Sequence, residues 1–251
     1  MDAVRHGDGS TLRYVSAGDF LMGTRHEDAA ELVRRYGWRP YRFGDEGPAH
    51  PVYLDAFFIA EFPVTVGQYA RFLADTGAPV PDCWDDPRFT EPNQPVIGVD
   101  RHQAIAYAAW VGLRLPTEAE WEKAARGTDG RIWPWGNDWD PARANTAERG
   151  TGRPVQIGQH AAAGNVSPYG VAEMVGNVWE WCLDRYDAEY YRDSPRENPR
   201  CTKPEVHYDG YYVVRGGSWL NRGDRVRCAS RYDRFAQQGR RHIGFRCALD
   251  A

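Results

Sequence analysis

The stretch that decides the fold is Arg215–Arg246, RGGSWLNRGDRVRCASRYDRFAQQGRRHIGFR. It opens with a Gly-Gly-Ser-Trp motif and closes with a Gly-Phe-Arg motif, and each combines a conformationally permissive glycine with a large aromatic residue that can be buried. From Trp219 to Ile243 the sequence is polar and arginine-rich, and it sustains neither a helical nor a strand period. A long irregular segment held at both ends predicts either a recognition surface or a solvated loop whose arginines dock on neighbouring segments. Composition alone favours neither reading.

Composition places the chain among ordinary globular proteins with many loops. Of its 251 residues 42% are hydrophobic and 26% charged, and it contains 10 Trp, 14 Tyr, 26 Gly and 17 Pro. The formal net charge of −4 indicates no particular class of partner. No apolar run has the length of a signal-peptide core or a membrane span, so the cytoplasm is the default expectation. The five widely spaced cysteines form no C-x-x-C pair, which favours buried or inert thiols over disulfides.

Local patterns predict a single α+β domain over residues 1–251, rich in loops and poor in regular structure. Strand patterns occur at 12–15, 18–23 and 52–59, and a short helical pattern at 28–36. Three further helices are predicted: one introduced by Thr65 and ended by Gly77, one that begins after Asp100 and stops at Gly112, and one from Thr117 to Gly127. The last has the clearest start, a capping box formed by Thr117 and Glu120 after Pro116. In the second of these helices the residues expected to face inward are Ala104, Ile105, Ala108 and Ala109. No repeat or linker divides the chain.

Seven short motifs follow one another along the chain. They are FLMG at 20–23, PVT at 63–65, RLPTEAEWE at 114–122, WPWG at 133–136, VGNVWEW at 175–181, RGGSW at 215–219 and GFR at 244–246. In this order they resemble the sulfatase-modifying-factor family, which contains formylglycine-generating enzyme. The resemblance implies a loop-rich variant of the C-type-lectin fold. Because that scaffold carries both enzymes and binding proteins, the fold alone leaves the function open.

The resemblance also implies where a catalytic centre would lie. In formylglycine-generating enzyme two cysteines soon after the Gly-Gly-Ser motif hold copper, since soft sulfur ligands select copper(I). Here Asn221 stands where the first of them is expected, and no cysteine occurs between Ser218 and Cys228. Ser218 and Trp179 match residues that line the enzyme's cleft, whereas His242 replaces an asparagine of that cleft. Copper is therefore not expected. The related iron-dependent sulfoxide synthases use a His-x3-His-x-Glu site, and the seven histidines here show no such spacing.

A calcium site is a second implication of the resemblance. The family's ligands fall on Glu173, Gly176, Val178 and Glu180, with carboxylates from the two glutamates and carbonyls from the other two residues. Hard oxygen donors of this kind suit calcium, so a structural calcium ion is expected here. The alternative is that the two glutamates only accept hydrogen bonds from backbone N–H groups of the loop.

The stretch also resembles the variable region of proteins diversified by retroelements, which use the same scaffold. Aromatic residues that supply contact area, small polar residues and arginine anchors are typical of a binding surface. The candidate ligand-binding residues are Trp219, Leu220, Asn221, Arg222, Asp224, Tyr232, Asp233, Arg234, Phe235, Arg240, Arg241 and His242. The resemblance implies a non-catalytic display protein that binds an unknown protein or surface ligand through residues 220–242.

Two other functions are weighed against the binding protein. The first is an oxidase or other modifying enzyme of the same class with a non-standard site. The second is a nucleic-acid binder, because residues 215–246 carry nine arginines against two aspartates. The acidic chain as a whole, and the bracing role expected of several arginines, make nucleic acid the weakest of the three. The ranking is binding protein, then enzyme, then nucleic-acid binder.

Overall fold

Three small β-sheets form the framework of the protein, whose computed structural model describes residues 3–202 and 210–251. The first sheet is antiparallel in the order β1 (Ala3–Arg5), β2 (Thr11–Val15), β5 (Phe57–Ala60) and β10 (Ala248–Asp250). The second pairs β3 (Gly18–Met22) with β4 (His50–Leu54). The third has the order β8 (Arg231–Phe235), β7 (Tyr211–Arg215), β6 (Trp179–Arg185) and β9 (Ile243–Gly244), with β6 and β9 parallel.

Five α-helices lie among the described residues: α1 (His26–Tyr36), α2 (Val66–Thr76), α3 (Arg101–Trp110), α4 (Glu118–Arg126) and the short α5 (Tyr190–Asp193). The start signals at Thr65, Asp100 and Thr117 are confirmed, because each residue caps its helix through a reciprocal capping box. The inward position expected for Ala109 is wrong, since this residue is exposed. The single strand pattern at 52–59 divides into β4 and β5, which belong to different sheets.

Helix α4 lies between the second and third sheets, so every one of its residues is buried. Trp121 and Ala124 join the apolar core that includes Phe20 and Met22 of β3. A helix buried on all sides has no solvent to receive its charged side chains, and these groups require internal partners. Glu118 therefore accepts hydrogen bonds from Arg215 and Arg231, and Glu122 accepts from Arg215 and from Arg126 of the same helix.

A second core packs aromatic rings beneath the Gly-Phe-Arg motif. The Phe245 ring is fully buried and meets Tyr107 and Tyr69 edge to face, with centroid distances of 5.4 and 6.4 Å. Leu115 and Trp181 belong to the same cluster. The sequence-based expectation of a loop-rich α+β fold is confirmed, and the two motifs at its C-terminal end are both anchored in it.

Candidate binding cleft

The Gly-Gly-Ser-Trp motif is a sharp turn that only glycine can make. Gly216 and Gly217 have φ values of 94° and 77°, in the left-handed region. A Cβ at Gly216 would lie 2.7 Å from the Met174 carbonyl oxygen, and one at Gly217 would overlap the Val226 side chain. The turn leads directly into the buried Ser218 and fixes the direction in which the following residues leave β7.

Asn221 is held in place by three donors to its side-chain oxygen. The Ser218 hydroxyl donates to Asn221 Oδ1 at 2.8 Å, the Ser218 amide at 3.1 Å and the Trp179 indole Nε1 at 2.9 Å. In addition the Asn221 carbonyl accepts the amide of Ala147. The position that the resemblance assigns to the first catalytic cysteine is thus occupied by a neutral amide that joins both sides of the cleft floor.

Four of the nine arginines in residues 215–246 are buried and paired with glutamates. The partners are Glu118 and Glu122 for Arg215, Glu46 for Arg227, Glu118 for Arg231 and Glu180 for Arg246. Although burial alone raises the pKa of Glu118, the guanidinium groups of Arg231 and Arg215 bring it below its usual value. For these four arginines the interpretation that they dock on neighbouring segments is therefore correct, because their ion pairs hold the segment against the core.

Residues 215–246 also contain a strand, β8, whose polar sequence does not show a strand pattern. The expectation that no strand period is sustained between Trp219 and Ile243 is wrong, because β8 pairs along β7 from Arg231 to Phe235. Alternation along β8 places successive side chains on opposite faces. Arg231 is buried, whereas Phe235 at the other end of the strand is half-buried and packs on the exposed Tyr211 with centroids 5.6 Å apart. Tyr232 faces the cleft and stacks on Trp179 at 5.6 Å.

A cavity of about 420 Å³ opens above Asn221 and Tyr232. Its lining brings together seven of the candidate binding residues, namely Leu220, Asn221, Arg222, Asp224, Tyr232, Arg234 and His242. Five other candidates are not part of the lining: Trp219, Asp233, Phe235, Arg240 and Arg241. Trp219 is nearly buried, and its indole points to the Arg241 carbonyl, with 3.4 Å between donor and acceptor.

Three lining residues were missing from the candidate set: Arg42, Trp179 and Arg225. Trp179 was identifiable from the resemblance, which places it in the family's cleft. Arg225 lies within the organising stretch, and its cation–π contact with Tyr232 at 5.1 Å follows only once β8 is known. No local signal marks Arg42, which lies in a short 3-10 helix, Pro40–Phe43, more than 170 residues earlier and pairs with Asp224 at 2.9 Å.

The electrostatic character of the cleft is basic. Among the described residues, four arginines line it, against the single acid Asp224. Burial, reinforced by Arg234, Arg240 and Arg241, lowers the pKa of His242 to about 4, so this imidazole is neutral at pH 7. Its Nδ1 is buried and has no hydrogen-bond partner among the described residues.

The predicted calcium donors do not fit a calcium ion as they are arranged. Both Glu180 oxygens accept from Arg246, at 2.6 and 2.8 Å, and one of them also accepts from the Trp121 indole at 2.7 Å. A bidentate guanidinium neutralises this carboxylate and places a positive charge beside the proposed cation. Glu173 has one oxygen on the amides of His160 and Ala161 and the other buried without a partner among the described residues. A calcium ion would bind here only if Glu180 released Arg246.

All five cysteines are free thiols. Cys182, Cys201, Cys228 and Cys247 are buried, whereas Cys83 is exposed. Burial raises the pKa of Cys201 and of Cys228 to about 12, so both are protonated at neutral pH. The buried cysteines are therefore unreactive as thiolates in the folded state.

Comparison with known proteins decides the family. A model of the family described as "Sulfatase-modifying factor enzyme 1-like domain" matches residues 4–251. The chain belongs to this family. Formylglycine-generating enzyme of Thermomonospora curvata is 35% identical over 250 residues, which cover 92% of this chain and 77% of that protein.

Two solved structures share the fold of this family member. "Structure of PvdO from Pseudomonas aeruginosa" superposes with a TM-score of 0.79 and 26% identity, covering 99% of this chain and 98% of that one. "Treponema denticola variable protein 1" superposes with a TM-score of 0.67 and 20% identity, covering 96% and 95%, and shows the fold alone. The chain also spans only 34–37% of the length of chlamydial serine/threonine-protein kinases pkn1 that are 34–36% identical to it. No helix among the described residues is long and apolar enough to cross a membrane.

Proposed function

We propose that this family member is a non-catalytic ligand-binding protein that uses the cleft around Asn221. The observation that carries the proposal is the hydrogen-bonded state of Asn221, which closes the cleft floor where the resemblance expects a copper ligand. An amide with three donors on its oxygen has no thiolate to offer copper(I). The cleft keeps a rigid aromatic wall and a polar, arginine-rich rim, and these features suit recognition.

The proposed ligand is a protein or another surface ligand that binds through the residues lining the cleft. Retroelement diversification is part of the proposal, but only for positions whose side chains are free to vary. Arg227 and Arg231 are paired with buried glutamates, so replacing either would disturb the core. Leu220, Arg222, Arg240 and Arg241 are exposed and can change without such a cost.

A sulfatase-type peptide containing cysteine tests the absence of catalysis. The protein is incubated with the peptide, copper, oxygen and a thiol reductant, and the peptide mass is then measured. Because no thiol pair lies in the cleft, the mass is expected to stay unchanged, whereas an active formylglycine-generating enzyme supplied in parallel converts the peptide. A cysteine-dependent conversion by this protein would overturn the proposal.

Diversification has its own test in the neighbouring DNA. A near-copy of codons 215–246 that differs mainly at adenines, beside a reverse transcriptase gene, is the expected arrangement. In such a copy the codons for Arg227 and Arg231 should be unchanged. Substitutions concentrated at these two codons would contradict the division between buried and exposed positions.

An oxidase or other modifying enzyme is the second candidate, and the relatives favour it. The formylglycine-generating enzymes of Thermomonospora curvata and Streptomyces coelicolor are 35% and 32% identical to the chain, and the hercynine oxygenase of Mycolicibacterium smegmatis is 29% identical over 87% of it. Such an activity would have to proceed without the cysteine pair of formylglycine-generating enzyme. Conversion of a small thiol or peptide substrate by the purified protein would favour this candidate.

A further inference from the structure

Three cleft arginines have no acid to balance their charge. Asp224 is the only carboxylate among the described residues that line the cavity, and it is paired with Arg42. Within residues 3–202 and 210–251, no carboxylate forms an ion pair with Arg222, Arg225 or Arg234. The four buried arginines of the same stretch contrast with them, because each of those has a glutamate. Guanidinium groups gathered in a cavity without counter-charges attract anions.

Two of these three arginines, Arg225 and Arg234, are held in position before any ligand arrives. Arg234 and Arg225 lie over the Tyr232 ring, at 4.0 and 5.1 Å from its centroid. The ring is itself fixed by its stacking on Trp179. Arg234 also donates to the Asp233 carbonyl through Nη1, while its Nε is buried and has no partner among the described residues. A preorganised donor loses little conformational entropy on binding, which increases affinity.

We propose that the cleft binds a small polyanion, carrying phosphoryl or several carboxylate groups, through Arg222, Arg225 and Arg234. Planar guanidinium groups match such oxyanions with paired hydrogen bonds. The volume of about 420 Å³ lies near the lower end of the range for small-molecule sites, so a compact ligand or one anionic group of a larger one would fill it. The inference rests on the proposed function and specifies the chemistry of its ligand.

His242 completes this site without adding charge. Its imidazole is neutral at pH 7, so the attraction comes from the arginines alone. The residue lines the cavity, while its Nδ1 is buried and has no partner among the described residues.

Isothermal titration with pyrophosphate and with citrate, at constant ionic strength, tests the proposal. At least one of them should bind saturably, and acetate at the same ionic strength should not. Tighter binding of pyrophosphate assigns a phosphoryl ligand, and tighter binding of citrate assigns a carboxylate ligand. Arg222→Gln and Arg234→Gln should each weaken binding about tenfold or more, the effect of losing a charge-assisted hydrogen bond.

Arg192→Gln is the matched control, because it removes the same charge from an exposed arginine outside the cleft. Its affinity should stay within twofold of the parent protein. Arg222 is exposed, so its variant remains informative if Arg234→Gln fails to fold. Absence of saturable binding by both polyanions, or equal weakening by the control, overturns the inference. Neither result affects the proposed absence of catalysis, which only the peptide assay addresses.

Discussion

Replacing Arg231 with glutamine should destabilise the protein far more than the same change at Arg222. The Arg231 guanidinium donates to both Glu118 oxygens, at 2.7 and 3.0 Å, and also to the carbonyls of Asp45 and Asp187. Removing one partner of a buried ion pair costs about 3–5 kcal/mol. Since Glu118 keeps Arg215, we expect the lower part of that range, about 3 kcal/mol. For a domain of this size this lowers the melting temperature by about 6–12 °C.

Denaturant unfolding followed by tryptophan fluorescence measures this difference, with calorimetry as a second method. Arg222→Gln is the control, because its side chain is exposed and lies in the same segment. It should change the free energy of unfolding by about 0.5 kcal/mol or less. Adding Glu118→Gln to Arg231→Gln should cost less than the sum of the single changes, because the two residues interact directly. Equal effects of Arg231→Gln and Arg222→Gln would refute the division of the arginines into buried and binding groups.

Three further predictions follow from the described contacts. Phe245→Ala should lower the free energy of unfolding by about 3–5 kcal/mol in a denaturant titration, since its ring is fully buried against Tyr107. The joint change of four exposed residues to Ser should shift the melting temperature by less than about 4 °C; these are Leu220, Arg222, Arg240 and Arg241. A larger loss of stability in the four-residue variant would show that the exposed residues are structural. Burial, with the nearby Glu118, raises the pKa of Asp184 to about 7, so near pH 5 the folded state binds a proton that the unfolded state has lost. The free energy of unfolding should therefore fall by about 2–3 kcal/mol from pH 5 to pH 8, measured relative to the Asp184→Asn variant. Parallel pH profiles of the two proteins would contradict this. Calcium and a chelator should leave the melting temperature unchanged, because Arg246 occupies Glu180; a saturable rise that Glu173→Gln abolishes would instead establish the calcium site.

The helices and the family were predictable because their signals are local. Thr65, Asp100 and Thr117 each lie three residues before the partner that completes a capping box, so short sequence windows contain the whole interaction. The Gly-Gly-Ser-Trp and Gly-Phe-Arg motifs are local in the same sense, because each contains both the glycine that its backbone conformation requires and the aromatic residue that is buried. Their order along the chain was sufficient to indicate the scaffold.

The strand within the cleft segment was not predictable, for a physical reason. Strand patterns are recognised by apolar residues on the buried face, but the buried face of β8 begins with Arg231. Its partner Glu118 lies 113 residues away on a helix, so no local sequence pattern indicates that the charge of Arg231 is neutralised. Arg42 was missed for a similar reason, because its partner in the cleft, Asp224, is also distant in the sequence. Residues whose role depends on distant partners therefore required the structure.

The Trp179 indole resonance gives the most direct test of the central claim that the Asn221 cleft is a ligand-binding site. This N–H donates to Asn221 in the cleft floor, whereas the Trp121 and Trp181 indoles donate to Glu180 and to the Val99 carbonyl in the core. In a nitrogen-15-labelled protein titrated with pyrophosphate, the Trp179 signal should shift and saturate while the other two stay in place. A saturating titration that moves Trp121 or Trp181 and leaves Trp179 unchanged would place the binding site elsewhere and contradict the account.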